Sequence, residues 1–156
     1  MKNLLLLVPI AYLVANCYQA VQAAPLRGDY FWAAKTGEVT QQMGRNSRLA
    51  LERSHDPAVL ANARKLAAES TYNFHRLAVL AEARAIPMCT GPSASQQQEF
   101  EALSRLQGDD FDRAYWAKQQ DAATALNLCR QQALAHSHDA ALSQAIGGLE
   151  VEAATR

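Results

Sequence analysis

Seven positions between residues 59 and 81 (Val59, Ala63, Leu66, Ser70, Phe74, Leu77 and Ala81) are small or apolar and recur at steps of three and four. That is the period of one face of an α-helix, and a strand, whose sides alternate every second residue, cannot bury such a set together. Asp56-Pro57 opens the run with an N-cap residue followed by the residue best tolerated at the first helical position. Pro87 limits it at the other end. The remaining chain agrees with a helical solution. Alanine supplies 31 of the 156 residues, about a fifth, whereas Val, Ile and Thr are scarce. Alanine loses no side-chain entropy in a helix and the β-branched residues do, so this balance favours helix over sheet.

Further helices follow from the same signals. Asp29 is expected to cap a first helix to about Arg53, with Trp32, Val39, Met43 and Ala50 on one face, and Ser54-His55-Asp56-Pro57 breaks the chain before the second. Ser95 with Gln98 has the pattern of a capping box for a short helix to Leu106. After Gly108-Asp109-Asp110, with Asp109 or Asp110 as cap, a long helix from about Asp110 to Ala135 would turn Tyr115, Ala122, Leu126, Cys129 and Ala133 inward. His136-Ser137-His138-Asp139 reads as a turn, with Asp139 capping a last helix to about Ala153 that Gly147 and Gly148 weaken by about 1 kcal/mol each. No strand-like alternation and no internal repeat is present. Short links between long amphipathic helices imply antiparallel neighbours in a bundle.

Met1 to Ala23 reads as an export signal. Lys2 provides the basic start, Leu4 to Ala15 the apolar run, and Val21-Gln22-Ala23 the small residues a signal peptidase requires. Cleavage after Ala23 divides the chain into a signal peptide, 1–23, and one bundle domain, 24–156. Two other fates compete. Leu4 to Leu26 carries no charge over 23 residues, long enough to remain as an uncleaved anchor. Val14-Ala15-Asn16-Cys17 also approximates a lipoprotein box, with Asn16 in place of a small residue. No later stretch reaches 18 consecutive apolar residues, so the mature chain has no transmembrane helix. Cys89 and Cys129 would then lie in an oxidising compartment, where one disulfide or two separate thiols are both open.

Fifteen basic residues balance fifteen acidic ones. A chain of zero net charge lacks the surplus of Lys and Arg that binding to nucleic-acid phosphates requires. No Gly-rich phosphate loop, nucleophile elbow or paired-cysteine motif is present. Trp32, Tyr115 and Trp116 are expected to be core aromatics. Cys129 on the inward stripe is expected to be a small core residue rather than a nucleophile.

The run Gly108-Asp109-Asp110-Phe111-Asp112-Arg113-Ala114-Tyr115 resembles the hallmark of the exported helical family filed as domain of unknown function 4142. Phe31 through Gly37-Glu38-Val39, Asp56-Pro57 through Leu66-Ala67, and Ala85-Ile86-Pro87 resemble further parts of that family, in the same order. The resemblance implies a ferritin-like fold and the label of an outer membrane protein. Physically, Phe111 and Tyr115 one turn apart share a face, Asp112 sits where a negative charge suits the helix dipole, and Arg113 is expected to pair with a carboxylate on a neighbouring helix. The family pattern also places an Asp-His pair in the second helix, another in the fourth, and a histidine near the end. These positions fall here on Glu69 and Ser70, on Ala122 and Ala123, and near Glu152, and none of them is a histidine.

A ferritin-like di-metal centre takes carboxylates from two helices and a Glu-x-x-His from each of two others. Only Glu52-Arg53-Ser54-His55 has that spacing, at the end of the first helix. Glu38, Glu69, His75 and Glu152 are the weak candidates for a makeshift metal site, and His136 with His138 forms a polar turn. The expectation is an all-α, ferritin-like up-down bundle of four to five helices after a signal segment. It would work at the periplasm or outer membrane through contacts with an envelope protein, with no catalytic residue and no cofactor. The alternative is an iron- or manganese-binding redox or storage protein.

Overall fold

The structure is a computed structural model that describes residues 28–88 and 91–149. The segment 1–23 read as an export signal, with Cys17, lies outside the described residues, as do Cys89 and Glu152. Five helices, α1 Gly28–Arg53, α2 Pro57–Glu82, α3 Ala94–Ser104, α4 Gly108–His136 and α5 Ala140–Gly147, make up the described fold, which contains no strand.

Central to the packing is α1, which runs along α2 on one flank and α4 on the other. Both neighbours are antiparallel to it. Going up α1, Gly37 meets Phe74 and Gly44 meets Ser70 of α2. Met43 and Ser47 likewise meet Gln119 and Tyr115 of α4. A β-carbon added at Gly44 would lie 3.1 Å from Ser70 Cβ, so the absence of a side chain there sets how closely α1 and α2 approach. The interior has three apolar sections along α1. One surrounds Ala33, Leu77, Ala81 and Ile86, a middle one joins Val39, Met43, Leu66 and Leu126, and the last holds Leu49, Ala50, Val59, Phe111 and Tyr115. α5 lies across the first section and α3 beside the last.

The stripe on α2 is buried as its spacing predicts. Val59, Ala63, Leu66, Ser70, Leu77 and Ala81 are the buried residues of that helix, and Phe74 is half-buried. Asp56 Oδ1 accepts from Ala58 N at 2.7 Å and Val59 N at 3.1 Å, with Pro57 at the first helical position. The helix closes before Pro87 through a left-handed residue, Ala85, with φ of 53°. Ile86 N–H then reaches back to Ala81 O at 2.9 Å and Ala85 N–H to Glu82 O at 3.0 Å, the pair of bonds that seals a helix C-terminus.

Five local expectations need correction. Asp29 does not serve as a cap, because α1 already includes Gly28 and the buried Asp29 carboxylate accepts the His138 backbone N–H at 3.1 Å on each oxygen. α3 is capped by Ser93 and Gln96 rather than Ser95 and Gln98. The earlier start lets Gln97 accept from Arg45 Nη2 at 2.9 Å, while Arg45 lies over the Phe100 ring. Asp109 and Asp110 stand inside the first turn of α4, which begins at Gly108 with φ of 54° and has no side-chain cap. Arg113 pairs with Asp110 of its own helix, because at i, i+3 that carboxylate is nearer than any on another element. α5 is capped by Asp139 as expected, but it stops at the Gly147-Gly148 pair rather than near Ala153.

Candidate functional site

Polar side chains are concentrated inside the bundle where α1 faces α4. Thr36, Thr40, Asn46 and Ser47 are buried on α1, Ser70 on α2 and Gln119 on α4. Tyr115, fully buried, donates its hydroxyl to Asn62 Oδ1 of α2 at 2.8 Å and lies 3.4 Å from Ser47 Oγ. Gln119 Nε2 donates to Ser47 Oγ at 3.2 Å and to Met43 O at 3.3 Å. Three helices are thereby tied by one hydrogen-bonded layer. Burial raises the Tyr115 pKa, opposed by its hydrogen bonds to Ser47 and Gln119, so the phenol remains a neutral donor through physiological pH. Phe111 stacks on the Tyr115 ring at 6.5 Å and Trp116 meets it edge-on at 5.7 Å. Gln119 Oε1 is buried without a hydrogen-bond partner.

Next to this layer is a cavity of about 20 Å³ walled by Thr40, Met43, Leu66, Glu69, Ser70, Asn73, Leu126 and Leu149. That volume holds about one water molecule. Its walls draw on α1, α2, α4 and Leu149, two residues past the end of α5. Glu69 and Ser70, the second-helix positions of the family pattern, line it, and Leu126 is one turn beyond Ala122 and Ala123.

Of the candidate ligands, Glu69 is at the cavity, with its carboxylate 3.9 Å from Lys65 Nζ. Glu38 is half-buried and paired with Lys35 at 2.9 Å, and His75 is exposed. Neither is among the cavity walls. Among the described residues no group of three or more His, Cys, Asp or Glu is placed to hold a metal ion. The described lining, a single carboxylate amid hydroxyl, amide and apolar groups, does not make a di-metal donor set. Cys129 is a buried free thiol on the inward face of α4. Desolvation raises its pKa, against a smaller lowering from the hydrogen bond with Thr36, so it is poorly suited to nucleophilic chemistry.

Of the polar layer, apolar spacing finds Tyr115 but not Ser47, Asn62 or Gln119, because polar residues leave no mark in an apolar stripe. A signal was available. Gln119 follows Tyr115 by four residues and precedes Leu126 by seven, on the line of the buried face. The same register puts Ala123 inside, while Ala122 is half-buried.

An all-helical bundle tied by a buried Tyr–Asn–Ser–Gln layer beside a single-water cavity is the class of protein that fold and site define. The chain belongs to the family described as Domain of unknown function (DUF4142), whose model matches residues 33–152. No curated protein and no solved structure matches the chain. Among the described residues no helix is long and apolar enough to cross a membrane.

Proposed function

We propose that this protein is an exported component of the cell envelope, built as a ferritin-like bundle and acting by contact with other envelope components rather than by catalysis. The observation that carries this reading is the condition of the bundle interior. The cavity beside Glu69 and Ser70 has room for about one water and is walled in large part by Met43, Leu66, Leu126 and Leu149. This interior cavity is smaller than a substrate pocket by an order of magnitude, and the larger hollow of about 360 Å³ beside Glu82, Ile86 and Met88 lies at the open end of α2. The 1–23 segment supports export to the periplasm or outer membrane, with cleavage after Ala23.

Mass spectrometry of the protein recovered from its host is expected to give an N-terminus at Ala24. Cross-linking in intact cells is expected to yield an adduct with another envelope component. An intact Met1 in a cytoplasmic fraction would overturn the localisation. Stoichiometric iron or manganese, lost in Glu38→Gln, Glu69→Gln or His75→Ala, would replace the contact reading with metal-dependent chemistry.

A further inference from the structure

α2 and α4 lie on either flank of α1 and do not pack along one another. The three long helices therefore leave a groove with α1 as its floor. α5 fills the first part of it. Arg84 pairs with Asp139 at the start of α5, Leu142 and Ile146 enter the section around Ala33 and Leu77, and Leu149 reaches the cavity beside Thr40, Met43, Leu66 and Leu126. The far end is crossed by Tyr115 of α4, which meets Asn62 of α2 at the level of Ser47. Leu149 is the last described residue, and it stands on the near side of the stretch between the cavity and that crossing.

The chain that follows has the direction and the length to cover this stretch. From Arg84 to Ser70, α5 descends α2 toward its first turn. Gly148 N–H reaches Gln144 O at 2.9 Å and Leu149 N–H reaches Ile146 O at 3.2 Å, so the backbone still turns in the sense of α5 at Leu149. Along α1, Thr40 and Ser47 are about 10 Å apart, and the seven residues 150–156 span about 10 Å even at the helical rise.

The same turn assigns each side chain a flank. Ser143 Oγ donates to Ala133 O of α4 at 3.5 Å, and a β-carbon at Gly147 would lie 3.0 Å from Leu134 of α4. Glu150 follows Ser143 by seven residues and takes that α4 flank. Glu152 takes the opposite flank, toward α2, where Lys65 Nζ stands 3.9 Å from the Glu69 carboxylate on the rim of the groove. Ala153 follows Ile146 by seven residues and Leu149 by four, so it turns inward, whereas Val151 turns away from the bundle.

We propose that segment 150–156 docks in the groove between α2 and α4 as an intramolecular strap, with Ala153 over Met43 and Leu66 and the Glu152 carboxylate on Lys65. The strap seals the single-water cavity and the polar layer from solvent on the one side that α1, α2 and α4 leave unclosed. An ion pair on an exposed rim contributes little by itself, so Leu149 and Ala153 hold the strap and Glu152 selects its flank. The inference is independent of the envelope reading, because every measurement below is made on the purified protein.

Carbodiimide coupling of the folded full chain, followed by trypsin, is expected to join peptide 65–76 to peptide 131–156 through Lys65 and Glu152. A mixture of isotope-labelled and unlabelled protein should show the link within one copy, and Glu152→Gln should abolish it. Ala153→Glu should lower its yield by roughly tenfold, because a charge forced against Leu66 displaces the strap. Val151→Glu should leave the yield unchanged. A chain stopped after Leu149 is expected to stay helical by circular dichroism and to bind an apolar fluorescent dye several-fold more strongly than the parent. Should that shortened chain fail to fold, the two point variants in the full chain decide. No link in the folded protein, a link undiminished in concentrated urea, a link found only between copies, equal effects of Ala153→Glu and Val151→Glu, or a folded shortened chain with unchanged dye binding would each overturn the strap.

Discussion

Replacing Tyr115 with Phe tests whether the buried polar layer contributes to the stability of the bundle. The substitution removes one oxygen and retains a fully buried ring between Phe111 and Trp116. The hydrogen bond to Asn62 at 2.8 Å is lost, and the longer approach to Ser47 at 3.4 Å goes with it. Two features limit the damage. Ser47 Oγ keeps its bond from Gln119 at 3.2 Å. Asn62 is half-buried, so its freed carbonyl can reach water. The cost should therefore lie near the net value of one hydrogen bond, about 1 kcal/mol, rather than the roughly 3 kcal/mol of an orphaned buried group. Urea unfolding should show a lower midpoint with an unchanged slope, and Tm should fall by roughly 3–5 °C. In a double-mutant cycle with Asn62→Ala, the coupling should be about 1 kcal/mol. A Tyr115→Phe protein as stable as the parent, or strictly additive single changes, would show that the layer is filler and refute the reasoning.

Other perturbations follow from the same geometry. Because burial holds the Tyr115 pKa above its ordinary value, an ultraviolet titration should show one phenol ionising above the ordinary tyrosine range. Its stabilising contribution is full below the ordinary tyrosine pKa and is lost as pH rises through the folded value. Asp139 is held below the usual carboxylate range first by its hydrogen bond from Arg84 and then by the backbone N–H of Leu142. Its contribution is therefore present above the ordinary aspartate pKa and lost as pH falls through the depressed one. Asp139→Ala should cost about 1 kcal/mol at neutral pH through the lost cap, and the gap from the parent should narrow in acid urea titrations. Ala85→Gly should raise stability by about 0.5–1 kcal/mol, since a β-carbon is strained at φ of 53°, and a lowered midpoint would show that the strain is absent. Cys129, buried and held up in pKa, should resist alkylation in the folded protein and label rapidly once urea unfolds it, as followed by peptide mass spectrometry.

Much of this architecture is legible before any coordinates. The α2 stripe, the Asp56 and Asp139 caps and the shared face of Phe111 and Tyr115 depend on residues within one or two turns, so spacing and chemical type are enough to find them. The Phe-Asp-Arg-Ala-Tyr run after Gly-Asp pointed to the family for a related reason, since it packs as a single local unit. The candidate ligands were harder. Glu38 and Glu69 could be named from a resemblance, but only the packing of α1, α2 and α4 put Glu69 at the cavity and left Glu38 paired with Lys35.

By itself, the sequence determined that this chain is helical, where its long helices lie, and which broad face of each is apolar. Tertiary structure decided the assignments that compete within about 1 kcal/mol locally. Ser93 or Ser95 could cap α3, Arg113 could take an acid nearby or across the bundle, and Asp29 could cap α1 or clasp a distant turn. The Asp29 tie was broken by a partner remote in sequence and the Ser93 cap goes with the Arg45–Gln97 contact, whereas Arg113 took the acid three residues away in its own helix. Asp29 and His138 are 109 residues apart, and Gln119 and Met43 are 76 apart. Such contacts have no periodic trace in the chain, because what places them is how closely α1, α2 and α4 pack, a distance that Gly44 and Ser70 help to set.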